Sequence, residues 1–308
     1  MAIQSVQAVI NGQTYNLTLN AETGKYEAVV TAPSASSFPL TNGYYPVAVT
    51  ATDTAGNSAS VDSTDATLGS NLRLFVKEQV KPTINITSPT AGAYITTNST
   101  SVSFSILDNV NQASGYSGIK RSTVSVTSNN GTVGTLSFTE TTGGFTVTAP
   151  LTALTDGNAT ITVYGEDNDG NTVTETLTFI VDTVAPTLSV ASPAEGLETN
   201  QSSINVSGLT DDVTSKPVSI TIKLNGTDVG PVTVANTGAF SKSLTLTTQG
   251  TNTIVITATD AAGKATTVTR HVVYNTSAPV ISDVTISPNP VYAGRTYTIS
   301  VSVTTASV

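Results

Sequence analysis

The sequence contains no cysteine, no tryptophan and a single histidine. The lack of cysteine excludes disulfide bonds, thiol nucleophiles and cysteine-based zinc sites. Charged residues make up 11% of the 308 positions, against roughly a quarter in ordinary globular proteins. The net charge is −9, so the chain has no excess of basic residues for a nucleic acid. We therefore expect no nucleic-acid partner.

Long apolar runs are also missing. No run reaches the roughly eighteen residues that a membrane-spanning helix needs, so we expect no membrane insertion. The first residues have neither the cationic stretch nor the apolar core of a signal peptide. That start fits either a segment of a longer protein or a protein that leaves its cell without secretion.

One pattern occurs three times in phase. In each copy a glycine is followed by alternating apolar residues, by an aspartate ten residues on and by a second glycine thirteen residues on. The copies are Gly43, Asp53 and Gly56; Gly157, Asp167 and Gly170; and Gly250, Asp260 and Gly263. Alternation with period two predicts a strand with one buried face. The ending Asp-x-x-Gly predicts a tight turn, because Asp can bond the backbone two residues on and Gly accepts positive φ.

Three such copies predict three related β domains, and Pro82, Pro186 and Pro279 each open a repeat. Short alternating strands in domains of this length indicate immunoglobulin-like sandwiches. The predicted fold class is therefore all-β, with tandem immunoglobulin-like β-sandwiches. The predicted parts are 1–79, a domain without its first two strands; 80–182 and 183–275, complete domains; and 276–308, a two-strand half-domain that could donate its strands.

The two end repeats complement each other in register, since the last one contains the two strands that the first one lacks. We predict that strand addition joins copies head-to-tail into a homo-oligomer. The predicted interface residues are Val6, Ile10, Val47 and Val49 in the first domain, and Tyr297, Ile299, Val301 and Val303 in the last repeat. Three alternatives remain: one chain closing on itself, the hairpin docking on another protein, and truncation of a longer chain.

Several motifs resemble those of bacterial immunoglobulin-like (Big-type) domains. They are Ala-Thr-Asp-Thr-Ala-Gly-Asn at 51–57, Ala-Thr-Asp-Ala-Ala-Gly-Lys at 258–264 and Val-Asp-Thr-Val-Ala-Pro-Thr at 181–187. With Ser-Pro-Asn-Pro-Val at 287–291, the whole chain resembles tandem domain proteins encoded among the tail genes of phages and prophages of Gram-positive bacteria. The resemblance implies a virion or extracellular location.

From this resemblance we expect a non-enzymatic structural or adhesive component of a phage tail or a similar extracellular assembly. Its partners would be further copies, or other tail or surface proteins, through the terminal strands. The alternative is a bacterial cell-surface adhesin, or a glycan-binding accessory module of a larger secreted protein. Neighbouring tail genes would favour the first reading, and an upstream signal peptide or catalytic domain would favour the second.

Residues that could carry chemistry are few. His271 lies in an alternating run and is predicted to be an ordinary strand residue, because nothing marks a nucleophile and an acid beside it. Tyr116, between Gly115 and Gly118 in the irregular stretch 108–120, is the best candidate to face a host-surface glycan. Tyr297 alternates with apolar residues, which predicts a core position. We expect no catalytic residue.

The turn at 166–171 resembles the opening of a calcium loop, with Asp167, Asp169 and Asn171 as candidate ligands. Calcium takes six to eight oxygen ligands, and the closing bidentate Glu is missing here. Further oxygens could come from Asp182, Asp211 and Asp212. An ordinary Asp-capped turn is the favoured interpretation, since the other two repeats make the same turn with one acid each. We therefore expect no cofactor, and folding that does not require calcium.

Overall fold

The computed structural model describes residues 2–108 and 116–305. The chain divides into two compact units, Met1–Val181 and Asp182–Val308. Its regular structure is almost entirely β, with two short 3-10 helices at Gly69–Leu72 and Arg121–Thr123 among the described residues. No helix in this part of the chain is both long and apolar enough to cross a membrane.

The first unit opens with one antiparallel sheet, here called the first sheet. Its strands are β1 (Ile3–Ile10), β2 (Gln13–Asn20), β3 (Lys25–Glu27), β4 (Tyr45–Asp53), β5 (Ser58–Val61) and β6 (Arg73–Leu74). The order is β3-β2-β1-β4-β5, and β6 pairs with β4. Val6, Ala8 and Tyr45 are its buried hydrophobic side chains.

The rest of the first unit is a two-sheet sandwich, here called the upstream sandwich. Its strands are β7 (Thr83–Ser88), β8 (Tyr94–Ile95), β9 (Thr100–Leu107), β10 (Ser125–Ser128), β11 (Thr132–Val133), β12 (Ser137–Thr141), β13 (Gly144–Thr152), β14 (Gly157–Glu166) and β15 (Thr172–Val181). One sheet has the order β10-β14-β15-β8 and the other β11-β13-β9-β7, with β12 beside β13.

The core of the upstream sandwich follows from alternation on facing strands. Phe104 on β9 and Val147 on β13 are paired in register, and both are fully buried. Ile161 on β14 faces them from the other sheet in the same apolar cluster. Burying such a side chain completely is worth about 1.5–3 kcal/mol, so these inner faces hold the two sheets together.

The second unit contains the downstream sandwich. Its strands are β16 (Thr187–Ser192), β17 (Leu197–Thr199), β18 (Ser203–Asp211), β19 (Ser219–Leu224), β20 (Thr227–Asp228), β21 (Ala239–Thr245), β22 (Gly250–Thr259) and β23 (Ala265–Tyr274). The sheets are β16-β18-β21 and β17-β23-β22-β19-β20. Val206, Ile222, Ile254 and Ile256 are fully buried between them. The predicted all-β fold with immunoglobulin-like sandwiches is confirmed.

The predicted signature hairpin is present in all three copies, as β4–β5, β14–β15 and β22–β23. The aspartate caps the turn each time. Its Oδ1 accepts the backbone N–H of the residue four positions on, which is Asn57, Asn171 or Lys264, at 2.8–3.0 Å. The predicted tight turn is therefore confirmed. The predicted bond two residues on is present at Asp53, whose Oδ1 accepts the N–H of Ala55 at 2.8 Å, but the bond common to all three turns is the one four residues on.

The second unit also contains a two-stranded hairpin, β24 (Val280–Ser287) and β25 (Thr298–Thr304). Every residue of the two strands is exposed. Tyr297 directly precedes β25 and is 52% exposed, so its predicted core position is wrong. Alternation marked the apolar face correctly, but no second sheet covers that face among the described residues.

Candidate functional site

The hairpin β24–β25 has the register of a sandwich's first strand pair. The outermost pairs of the three ladders are Thr83 with Leu107 in β7–β9, Thr187 with Asp211 in β16–β18, and Val280 with Thr304 in β24–β25. In each pair the first residue lies one position after the proline that opens the repeat, and the second lies 25 positions after it. The hairpin is therefore the structural equivalent of the paired strands β7 and β9 in the upstream sandwich, and of β16 and β18 in the downstream sandwich.

The apolar face of the hairpin corresponds to a buried face in the upstream sandwich. Val102, Phe104 and Ile106 lie 20, 22 and 24 residues after Pro82 and are 0% exposed. At the same distances after Pro279 lie Ile299, Val301 and Val303, which are 56%, 49% and 56% exposed. Across the hairpin, Val301 pairs with Val284 and Ile299 with Ile286, which extends the exposed apolar face.

An apolar groove lies beside the first sheet. Its volume is about 240 Å³, and Ile10, Tyr15, Val30, Val47 and Leu74 contribute to its lining. Two of the predicted interface residues, Ile10 and Val47, therefore border open space. The other two lie deeper, since Val6 is buried and Val49 is half-buried.

The segment after Gly24 has an unpaired edge. Gly12 and Gly24 have the same twelve-residue spacing as Gly226 and Gly238, which places residues 25–31 in the position of β21. In the downstream sandwich β21 pairs with β18. In the first sheet, residues 28–33 belong to no strand. A Cβ at Gly24 would meet nothing within 4 Å, whereas at Gly238 it would lie 1.9 Å from the carbonyl oxygen of Thr210 on β18.

Six acidic residues form two clusters, one in each unit. The upstream triad consists of Glu78, Asp108 and Asp167, and the downstream triad of Asp182, Asp212 and Asp260. In each triad one carboxylate oxygen per residue lies within 4.8 Å of the other two. One acid precedes the first strand of the sandwich, one follows β9 or β18, and one opens the signature turn.

The upstream triad contains one of the three predicted calcium ligands, Asp167. Asn171 instead donates its side-chain amide to Asp167 Oδ2 at 2.7 Å. Asp169 accepts the backbone N–H of Glu78 on its Oδ2 at 2.9 Å. Asp169 and Asn171 therefore hold the segment around Glu78 against the turn, and the acids beside Asp167 are ones that the motif did not include.

The downstream triad places the other acids differently from the sequence-based expectation. Asp182 and Asp212, proposed as extra oxygens for the 166–171 turn, lie with Asp260 in the second unit. Asp211 is exposed and forms an ion pair with Lys216 at 2.8 Å. Neighbouring residues at the end of an extended strand point to opposite sides, so only Asp212 is turned inward.

Sequence reasoning missed Glu78, Asp108 and the role of Asp260. A usable signal was present in the repeat spacing. Glu78 and Asp182 lie four residues before Pro82 and Pro186, and Asp108 and Asp212 lie 26 residues after the same prolines.

Burial raises the pKa of the Glu78 carboxyl above its ordinary value, and the charges of Asp108 and Asp167 raise it further. A raised pKa means that the folded protein binds this proton more tightly than the unfolded chain. The stability from this group is therefore full below the ordinary Glu range, about pH 4–5, and is lost as the pH rises through the higher folded value.

We expect Glu78→Gln to have a higher melting temperature than the wild type at neutral pH. The measurement is made with a chelator, so that no metal ion offsets the charge of the three acids. The glutamine keeps the shape of the side chain but cannot ionise. The difference in melting temperature should shrink as the pH falls towards 4, about the ordinary range for Glu. Glu140→Gln, the same change at an exposed strand position, is the control for the substitution itself. A difference that does not change with pH would contradict the assignment.

The remaining predicted residues lie apart from the two triads, with one exception. His271 lies on β23, as predicted, with its exposed Nδ1 2.7 Å from Glu195 Oε1. The hydrogen bonds from His271 lower the pKa of the Glu195 carboxyl. Tyr116 is half-buried and precedes Ser117, whose hydroxyl lies 3.4 Å from Glu78 Oε1. Gly115, its predicted neighbour in the loop, lies outside the described residues.

The downstream sandwich has a match among known families. Residues 186–276 match the family model of glucodextranase, domain B. The match covers this sandwich and leaves the rest of the chain unassigned. No curated protein sequence is similar enough to count as a relative.

Solved structures of tandem β domains resemble the chain at low identity. The fibronectin(III)-like modules of Clostridium thermocellum CbhA are 15% identical, cover 63% of this chain and 94% of their own, and give a TM-score of 0.36. The Escherichia coli adhesin FdeC is 15% identical, with coverages of 74% and 73% and a TM-score of 0.39. Bacteroides ovatus SGBP-B, solved with a mixed-linkage heptasaccharide, is 11% identical, with coverages of 92% and 62% and a TM-score of 0.22. The fold therefore rests on the sheets and registers described above.

Proposed function

We propose that the chain is a non-catalytic structural component of an extracellular assembly, namely the tail of a phage particle, and that its copies join head-to-tail. One observation carries this proposal. The hairpin β24–β25 has the register and apolar face of the strand pair β7–β9, yet all its residues are exposed. The phage setting is supported by the resemblance of the repeat motifs and of residues 287–291.

The occupant that we propose for the exposed face is the first sheet of a second copy. The groove lined by Ile10, Val30 and Val47 offers apolar surface, and the strand-free segment 28–33 offers backbone groups for pairing. The open space at Gly24 lies where β18 would run in the downstream sandwich. The hairpin of another copy fits this place as the equivalent of β18 and its neighbour.

Strand addition suits both surfaces energetically. A two-stranded hairpin is marginal by itself in water. Pairing with a sheet edge satisfies its backbone groups, and alternate side chains enter the partner's groove. Because the donor and acceptor surfaces differ, the contact is head-to-tail, and repetition closes a ring or extends a filament.

We expect the full-length protein to exceed its monomer mass of 31.4 kDa and to dissociate on dilution. Val301→Asp should abolish this association, because a charge would enter the buried contact. Ser300→Asp is the matched control, since Ser300 is the preceding residue on the same strand, points to the opposite face and is paired with the uncharged Thr285. Light scattering coupled to size exclusion measures the mass of all three proteins.

Two outcomes would contradict head-to-tail joining. One is a wild-type protein that remains monomeric at every concentration. If Val301→Asp then lowered the stability of the first sheet, the hairpin would bind the first sheet of its own chain instead of a second copy. The other is equal dissociation by Ser300→Asp, which would place the contact away from the apolar face.

A further inference from the structure

The downstream triad concentrates negative charge in the interior of the second unit. Asp182, Asp212 and Asp260 are 0%, 5% and 6% exposed. No lysine or arginine forms an ion pair with any of them within the described residues. Buried charges of one sign are costly unless they are paired or coordinate a metal. The triad therefore calls for a cation.

Two members of the triad have hydrogen bonds that fix their orientation. Asp212 Oδ1 accepts the backbone N–H groups of Thr214 and Ser215 at 2.8 and 2.7 Å. Asp182 Oδ2 accepts the hydroxyl of Ser215, and its Oδ1 accepts the N–H of Val184 at 3.2 Å. These donors are neutral, so they position the carboxylates without supplying a counter-charge.

Asp260 differs, because its Oδ2 is buried and has no hydrogen-bond partner. In the other two signature turns an asparagine four residues on donates its amide to the same oxygen. Asn57 reaches Asp53 at 2.9 Å, and Asn171 reaches Asp167 at 2.7 Å. Lys264 takes that position here, and only its backbone N–H binds Asp260, through Oδ1. A buried unsatisfied carboxylate oxygen calls for a ligand that the protein itself does not provide.

The same three positions are acidic in both sandwiches. The acid before the first strand lies four residues before Pro82 or Pro186, and the acid after β9 or β18 lies 26 residues after the same proline. The third acid in each set is the aspartate of the signature turn. Both sets converge to within 4.8 Å. The sandwich fold therefore brings the three acids together in both units. The downstream triad differs in having the unbonded oxygen of Asp260.

We propose that Asp182, Asp212 and Asp260 bind one calcium ion. The donors are all hard oxygens, and neither histidine nor cysteine belongs to the set, which favours calcium or magnesium over zinc and copper. Calcium accepts six to eight oxygens in flexible geometry, so carboxylates together with backbone carbonyls and water suffice. Magnesium demands near-ideal octahedral geometry and dehydrates reluctantly, which disfavours it in a buried set of carboxylates.

Binding at this site has a structural consequence. The ion would connect the segment before β16, the loop after β18 and the turn between β22 and β23. These three loops lie at one end of the downstream sandwich and are far apart in the sequence. Calcium should therefore stabilise the folded state of this unit, contrary to the expectation from the sequence that folding is independent of calcium.

The test is calcium titration of the chelator-treated full-length protein, followed by calorimetry and by thermal melting. We expect Asp260→Asn and Asp212→Asn to weaken calcium binding at this site by at least about tenfold. Losing only a hydrogen-bond partner of a metal ligand already lowers metal affinity by about that factor. Calcium should raise the melting temperature of the wild type but not of these variants. Asp211→Asn, which alters the exposed neighbour of Asp212, should bind like the wild type.

Two further variants test the free oxygen without touching a ligand. Lys264→Asn restores the amide donor of the other repeats, so it should weaken calcium binding relative to Lys264→Ala, which removes the same charge without adding a donor. Melting in chelator provides a readout without the metal. There, Asp260→Asn and Asp212→Asn should melt at or above the wild-type temperature, because each removes one repelling charge.

The proposal is overturned if the wild type binds no calcium. It is also overturned if Asp260→Asn and Asp212→Asn leave the titration unchanged, or if Asp211→Asn abolishes binding equally. Tighter binding of magnesium than of calcium in a parallel titration would contradict the assigned ion.

Discussion

Alanine in place of Gly238 is expected to unfold the downstream sandwich at temperatures at which the wild type is stable. Gly238 has a φ of +81°, and a Cβ there would lie 1.9 Å from the carbonyl oxygen of Thr210. The backbone N–H of Thr210 donates to the carbonyl of Gly238 at 2.9 Å, so neither strand can move without losing this bond. The cost should be on the order of 4 kcal/mol, in the range that is exceptional for single substitutions.

Gly226→Ala is the matched control for this collision. Gly226 also has a positive φ, +85°, but its Cβ would meet nothing within 4 Å. Its cost should therefore be only the backbone strain of about 1–2 kcal/mol. Denaturant unfolding followed by circular dichroism and scanning calorimetry compares the variants. Equal losses at the two positions would show that strain alone, and not the contact with β18, determines the effect.

Phe104→Ala is expected to destabilise the upstream sandwich by about 3–5 kcal/mol, the usual cost of removing a buried phenylalanine. Phe104 is fully buried on β9 and lies between Val147 of β13 and Ile86 of β7 in the ladder. Close-packed neighbours relax only in part around the space that the ring leaves, so the loss includes a cavity term as well as lost burial.

Phe75→Ala provides the control, because Phe75 is 67% exposed. Its ring makes an edge contact with the ring of Tyr44, and the two ring centroids are 6.0 Å apart. That contact is worth about 0.5–1.5 kcal/mol, which limits the expected loss. The same unfolding measurement applies to both variants. If Phe104→Ala were no more costly than Phe75→Ala, the assignment of Phe104 to the core would be wrong.

The sequence by itself determined the strands and their turns, because both depend on local features. Alternation along 157–166 required one buried face, and β14 is buried at every second residue. Asp167 and Gly170 required a tight turn, since a short acceptor and a residue tolerant of positive φ lie at the right spacing. The same local features placed His271 on a strand. The apolar face of β25 was also readable, but what covers that face was not.

Only the tertiary structure decided which acids meet. The three members of each triad lie on different loops, and the distance between them depends on how the two sheets pack. Motif reading grouped Asp167 with its sequence neighbours Asp169 and Asn171, whereas folding brings Glu78 and Asp108 to it. Asp212 and not Asp211 belongs to the triad because successive side chains at the end of β18 point to opposite sides of the strand. The unsatisfied oxygen of Asp260 depends on the side chain at position 264. The meeting of the acids joins residues that are distant along the chain, and the choice of Asp212 depends on a particular side of a strand, so a local pattern in the sequence does not encode either. The free oxygen of Asp260 is the local exception, because position 264 belongs to the same turn.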